Sequence, residues 1–332
     1  MPQTDADVLV VGAGVIGLTT AICLAEAGLT VAVAAAEPPR QTTSVAAGAL
    51  WGPHLVGLDD RIDRWAAVTR ERLAELAEPT IGANELRGIV RTANGVAATA
   101  TADAEPPEFA LTGTLARCEP GEVPAGYATA WRLSAPLIAM PEYLEYLAVR
   151  LGRAGGTTAF AVRFATLHDA RGYAPRARVI VNCAGYGARD LVADQAVVPV
   201  RGQAVVVRNP GLRDFFVGTG ATGWPLTYLF PHEHVVLLGG TEDVGSDSRA
   251  ADPATAARII DACAAIRPQL RDAAVLEHRV GLRPLRPSVR LDAEQAADGV
   301  TLVHSYGHGG AGVTLSWGCA EDCVRLVLAA LG

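Results

Sequence analysis

Residues 7–38 read DVLVVGAGVIGLTTAICLAEAGLTVAVAAAEP. An apolar run meets a glycine turn, a helical stretch follows, and a second apolar run begins near Thr30, which is the β-α-β order of a parallel sheet. Gly12, Gly14 and Gly17 form GxGxxG at the strand-to-helix junction. There they permit a tight turn, close approach of backbone to a pyrophosphate, and close helix packing. Val15 and Ile16 open the helix, whose N-terminus presents free N–H groups and the positive end of its dipole to phosphates. Glu37 lies twenty residues beyond Gly17, at the end of the second strand. A carboxylate there accepts hydrogen bonds from ribose hydroxyls and disfavours a 2'-phosphate. The motif serves FAD and NAD equally, and a glycine turn with only a structural role is the alternative.

The chain has 332 residues, 50% of them hydrophobic, enough to bury one large core or two smaller ones. A net charge of -7, a pI near 5.5 and the lack of a basic run argue against nucleic acid as a partner. The uncharged stretch from Val8 to Ala25 has the length of a membrane span, yet its three glycines and acidic flank favour a buried strand and helix. No membrane partner is expected. Six cysteines without a CxxC pair fit a reducing cytoplasm, with Cys319 and Cys323 read as packing residues.

Further along, Ile62, Trp65, Leu73 and Leu76 predict an amphipathic helix within Asp59 to Ala77. Ala93 to Gly126, rich in Ala, Pro, Gly and Thr, is expected to form loops and short strands. A helix is expected after Pro141, ended by Gly155 and Gly156, and a strand in ARVIVNCAG. RGQAVVVRN and HVVLLGGT read as strands of a more antiparallel sheet, joined by a long connection containing GWPLTYLFPHEH. PATAARIIDACAAIRPQL is a further helix. In EHRVGLRPLRPSVRLD an extended chain puts Arg279, Gly281 and Arg283 on one face and Val280 and Leu282 on the other. That is either a salt-bridged surface strand or a place where an arginine fork holds a carboxylate by two charge-assisted hydrogen bonds.

VLVVGAGVIGLTTA, TTSVAAGALWGPH, VIVNCAGYGARDL, RGQ, GLRPLRPSVRLD and HSYGHGGAGVTLSWGCA occur in this order. Together they resemble the D-amino-acid oxidase family of FAD enzymes from near the first residue to the last. The resemblance implies an α/β fold: an FAD-binding Rossmann-type domain like that of glutathione reductase, with a discontinuous α+β substrate-binding domain. The corresponding segments are 1–54, 140–190 and 285–332 for FAD, and 55–139 and 191–284 for substrate and interface. It also implies noncovalent FAD and a homodimer.

By matching position, Thr42, Thr43 and Ser44 lie along the FAD phosphates, Ala47, Gly48, Ala49 and Leu50 run beside the flavin ring, and Val162 places backbone against adenine. Gly309, Gly310, Gly312, Val313 and Thr314 contact the flavin. Counting back from TTSVAAG puts Ala36 in register with the family's ribose-binding acid, so Glu37 takes that role with a one-residue shift. Arg283 is the substrate-carboxylate arginine, Tyr228 adds its hydroxyl, and the Gly310 carbonyl accepts from the substrate amine. Trp224 stands where a second tyrosine is common, which leaves the side-chain pocket open.

The implied reaction is hydride transfer from Cα to flavin N5, hydrolysis of the imino acid, and reoxidation by O2 to hydrogen peroxide. No side chain acts as acid or base. D-Stereochemistry follows from the resemblance alone. Neutral or broad D-amino acids are the expected substrates. His54 resembles a histidine of D-aspartate oxidases and keeps that alternative, although Phe215, Phe216 and Arg213 offer no matching side-chain arginine. A glycine- or sarcosine-type amine oxidase, an NAD-dependent dehydrogenase and a nonenzymatic flavin-binding module are the remaining alternatives. His304 and His308, in a strand entering a glycine turn, are expected to support the turn; no metal is expected.

Overall fold

The computed structural model describes residues 5–77, 88–106, 115–221 and 226–332. In chain order the first elements are β1 (Val8–Val11), α1 (Val15–Glu26), β2 (Val31–Ala34), α2 (Ile62–Ala77), β3 (Val90–Thr99), β4 (Leu115–Arg117), β5 (Thr129–Ile138) and α3 (Met140–Arg153). The middle holds β6 (Thr157–Ala159), α4 (Ala170–Tyr173), β7 (Val179–Asn182), α5 (Ala188–Leu191), β8 (Val198–Arg208) and β9 (Phe215–Thr219). The last are β10 (Leu226–Pro231), β11 (Val235–Gly239), β12 (Asp243–Val244), α6 (Pro253–Ile266), β13 (Val275–Gln295), β14 (Thr301–His308) and α7 (Gly312–Leu331).

The strands join in one mixed sheet. At one end β14, β7, β1, β2 and β6 lie parallel to one another, while β14 is antiparallel to β13 on its other side. β1 is apolar at every position because both of its faces are covered. Val8 and Val10 pack into the core under α1, α3 and α7, while Leu9 and Val11 enter a second core with Leu167, Ala170 and Tyr173. α1 is buried everywhere except Cys23 and Glu26. Burial inside the protein, under α3 and α7, is therefore what the uncharged stretch from Val8 to Ala25 records. No described helix is long and apolar enough to cross a membrane.

β13 connects this parallel part to the antiparallel one. Its first half pairs with β8 and its second half with β14, and the register breaks between Leu285 and Arg290. Pro287 falls in that break and has no N–H to donate to the ladder. α6 covers one face of the antiparallel strands, where Ile259 and Cys263 meet Val205 and Leu229. Tyr228, Phe230 and Leu226 lie in the cluster on the other face.

Two sequence expectations need correction. Part of the stretch read as loops and short strands is β3, which forms ten residue pairs with β5 and lies parallel to β9 on its other side. Its Ala, Thr and Gly residues carry little intrinsic strand signal; pairing on both edges supplies it. The long connection between RGQAVVVRN and HVVLLGGT likewise contains two strands, β9 and β10, which pair with each other.

Candidate active site

A cavity of about 570 Å³ opens at the carboxyl ends of β1, β2, β7 and β14 and reaches across to β8, β10 and β13. Ligands of open α/β sheets bind at such strand ends. Gly12 has a φ of +114°, and a Cβ there would sit 2.4 Å from the Cys183 carbonyl, so the turn tolerates only glycine. A Cβ on Gly17 would strike the carbonyl of Gly12, which couples helix to turn. At Gly14 the nearest obstacle is Ser44 Oγ at 3.1 Å, so its backbone stays open to the cavity.

Two helices aim their N-termini here, α1 and α7, and neither has a side-chain cap from its own N-cap residue. Their first-turn N–H groups lack intrahelical acceptors and present positive potential. Ser44 Oγ accepts from Val15 N at 3.0 Å, at the place where a phosphate oxygen could accept in its stead. The segment carrying Ser44 is tied to β13: the Thr43 hydroxyl accepts from Leu282 N and donates to Leu282 O. Farther along, the Thr314 hydroxyl donates to the Gly52 carbonyl and accepts from Gly52 N, joining the loop after Trp51 to the start of α7. Glu37 also lines the cavity and pairs with Arg249 at 2.6 Å. The N–H of Val162 is engaged by the Ala35 carbonyl, leaving its carbonyl and side chain for other contacts. Two helix starts without a cap from their own N-cap residues, an open glycine turn and a carboxylate just beyond β2 fit a dinucleotide.

The opposite end combines one cation with aromatic surface. Arg283 reaches the cavity across Gly202, where a Cβ would fall 2.5 Å from Nη1 and 2.7 Å from Cζ. Its Nη1 donates to the Thr241 carbonyl at 2.9 Å. Tyr228 stacks on Phe230, with ring centroids 4.6 Å apart and planes at 11°. This platform needs Gly48 beside it, since a Cβ there would be 2.5 Å from the Phe230 ring. Burial pushes the Tyr228 phenol pKa up, partly opposed by the nearby Arg283 charge, so the hydroxyl stays protonated.

His54 packs its ring edge over Gly310 and meets Glu242 through Nε2 at 2.7 Å. That hydrogen bond holds the Glu242 carboxyl below its usual value. The glycine turn is pinned on both sides: Gly309 N donates to Pro284 O, and Gly310 N to Leu55 O. His308 is fully enclosed, and burial depresses its pKa to about 4, leaving the imidazole neutral. His304 pairs with Glu294 at 3.1 Å. Four residues along a strand return to one face but lie about 13 Å apart, which separates the surroundings of the two histidines. No group of His, Cys, Asp or Glu able to hold a metal occurs among the described residues.

Of the residues assigned to cofactor or substrate from the sequence, Gly17 is behind the turn and Trp224 lies outside the described residues; every other one lines this cavity. Phe215 and Phe216 are fully buried. Sequence reasoning missed Arg249, Glu242, Phe230 and the space provided by Gly202, although RGQ and TYLFP contain the last two. Glu242 and Arg249 carried no local signal.

Residues 7–326 match the family described as FAD dependent oxidoreductase. A D-amino-acid oxidase of Rubrobacter xylanophilus is 44% identical over 328 residues, covering 98% of this chain and 97% of that protein. One from Streptomyces coelicolor is 42% identical over 98% of this chain and 97% of its own. A human D-aspartate oxidase is 33% identical, covering 97% and 94%. Among solved structures, glycine oxidase from Geobacillus kaustophilus superposes with a TM-score of 0.82 at 20% identity over 98% of this chain and 95% of that one, a likeness of fold. The chain belongs to the D-amino-acid oxidase family of FAD-dependent oxidoreductases.

Proposed function

We propose that this protein oxidises D-amino acids of neutral or broad side-chain range to imino acids, which water converts to 2-oxo acids and ammonia while O2 is reduced to hydrogen peroxide. The observation that carries the reading is that Arg283 and Tyr228 face the same cavity as the glycine turn and both helix N-termini, in a chain 44% identical to a D-amino-acid oxidase. FAD, when bound, supplies the two-electron acceptor and returns the electrons to O2.

The chain's own residues bind and orient. The Arg283 fork takes the substrate carboxylate by charge-assisted hydrogen bonds, and the Tyr228 hydroxyl donates to the same group. The Gly310 carbonyl accepts from the amine, which has released its proton to solvent before the Cα–H bond breaks, so that the nitrogen lone pair forms the C=N bond as hydride leaves. No side chain is needed as acid or base; holding Cα in a productive orientation is the protein's contribution. Gly12, Gly14, Val15, Ile16, Thr42, Thr43 and Ser44 would hold the cofactor's phosphates, Glu37 its ribose, and Val162 its adenine. Ala47 to Leu50 and Gly309 to Thr314 would border the ring, where the first turn of α7 favours negative charge. Trp224 would border the substrate side chain.

We place the two units at 1–54, 140–190 and 285–332 for cofactor, and 55–139 and 191–284 for substrate. A homodimer in a cytoplasmic setting completes the proposal, supported by the family resemblance and by six free cysteines. Light scattering on the purified protein tests the dimer. For the reaction, the flavin absorbance is recorded without oxygen while paired D- and L-amino acids are added. Bleaching by the D-enantiomers is expected; bleaching by the L-enantiomers alone would overturn the reading.

A further inference from the structure

Glu242 is not itself among the residues that line the cavity, but it stands directly beside the substrate end, bonded to the lining residue His54, and its direction is set by its neighbour. Thr241 is 3% exposed and held on two sides: its hydroxyl accepts from Gln203 N at 2.8 Å, and its carbonyl accepts from Arg283 at 2.9 Å. From that fixed point the Glu242 side chain reaches His54 Nε2 at 2.7 Å. The His54 ring in turn lies over Gly310. The pair thus bridges the wall that carries Arg283 and the loop that covers Gly310. The carboxylate is near enough to Arg283 and Tyr228 to interact electrostatically with both, and its side chain is 20% exposed.

The distribution of cations sharpens this. The arginines lining the cavity are Arg163, Arg249 and Arg283 among the described residues. Arg163 follows Val162 in the chain and Arg249 pairs with Glu37, both at the dinucleotide end. Residues 222–225, Thr-Gly-Trp-Pro, bring no charge. A substrate whose carboxylate occupies Arg283 and whose amine meets Gly310 is therefore held next to the His54–Glu242 pair, with no further arginine at that end among the described residues.

Resting on the reading above, we infer that Glu242 determines side-chain charge preference: the site favours D-amino acids with a cationic side chain over neutral ones of equal length, and disfavours acidic ones. A cationic side chain gains charge attraction to the carboxylate, directly through its free oxygen or across the His54 ring. An acidic one meets like charge in a partly desolvated site, which is how binding sites reject unwanted ligands.

The test compares kcat/KM of the FAD-loaded enzyme, by oxygen consumption, for D-lysine against D-norleucine and for D-glutamate against D-glutamine. In the wild-type protein D-lysine is expected to exceed D-norleucine, and D-glutamine to exceed D-glutamate. Glu242→Gln is expected to lower the D-lysine to D-norleucine ratio about ten-fold while keeping its flavin spectrum. Glu242→Asp, which keeps the charge, should keep the direction of preference. Because the readout is a ratio within one protein, partial loss of folded enzyme does not alter it. An enzyme that oxidises D-norleucine with the same ratio before and after Glu242→Gln overturns the role of Glu242 and leaves the oxidase reading standing. One that oxidises no D-amino acid overturns both.

Discussion

Gly202→Ala would place a methyl carbon against the guanidinium of Arg283 without changing any charge. Gly202 pairs with Gly281 between β8 and β13, and the side chain of Arg283 passes over it. The added carbon would lie 2.5 Å from Nη1, whereas ordinary contact starts at 3.4 Å. The fork must retreat by about 1 Å, and its bond to the Thr241 carbonyl opposes sideways escape. A displacement of that size in a positioning group costs on the order of 100-fold in rate. A lost hydrogen bond to the substrate carboxylate accounts for about 1.5–3 kcal/mol of the same effect. Steady-state oxygen consumption with the best D-amino-acid substrate should therefore show kcat/KM reduced about 100-fold, in protein that still carries the yellow FAD spectrum. A value within three-fold of wild type, roughly the spread of single-contact effects, would refute the assignment of that fork to substrate.

Arg283→Ala removes the fork altogether and should cost about 3–5 kcal/mol of substrate binding; an unchanged KM for a good substrate refutes the role. Asp322 on α7 accepts from Trp65 Nε1 at 2.6 Å and pairs with Arg64 and Arg325, so Asp322→Ala should destabilise the protein by about 2–3 kcal/mol. Denaturant unfolding reads that loss, and an unchanged midpoint contradicts it. His308 is neutral in the folded state with a pKa near 4, whereas an unfolded histidine titrates near 6.5. Between those values the unfolded chain binds more protons, so stability present above pH 6.5 is lost as pH falls toward 4, by roughly 3 kcal/mol in all. His308→Gln should flatten that limb of a stability-against-pH curve; an identical slope in the variant argues that other groups carry it.

Much of the parallel part was legible because its signals are local. Four consecutive apolar residues in β1 and glycines at fixed offsets act within one strand, one turn and one helix. The helix expected after Pro141 and ended by Gly155 and Gly156 is α3, Met140–Arg153. β3 escaped detection for the converse reason: its Ala-, Thr- and Gly-containing sequence becomes a strand through partners at Thr129–Ile138 and Phe215–Thr219. The substrate end divides the same way. Arg283 and Tyr228 were marked by the blocks around them, while Glu242 follows a pair of glycines in a segment with no pattern of its own.

By itself the sequence determined that a β-α-β unit would present an open glycine turn to a dinucleotide, and which arginine and tyrosine to suspect. The glycine turn needs only the periodicity of a chain and the steric demands of a turn, whereas the arginine and the tyrosine were picked out by the family resemblance of the blocks in which they stand. The tertiary structure alone decided that Gly202 makes room for Arg283, that Ser44 Oγ meets the start of α1, and that Glu242 crosses to His54. Each of these joins residues 29 to 188 positions apart. Such pairs are set by sheet register and by which loops the sheet's two parts bring face to face, quantities that no local stretch of sequence encodes.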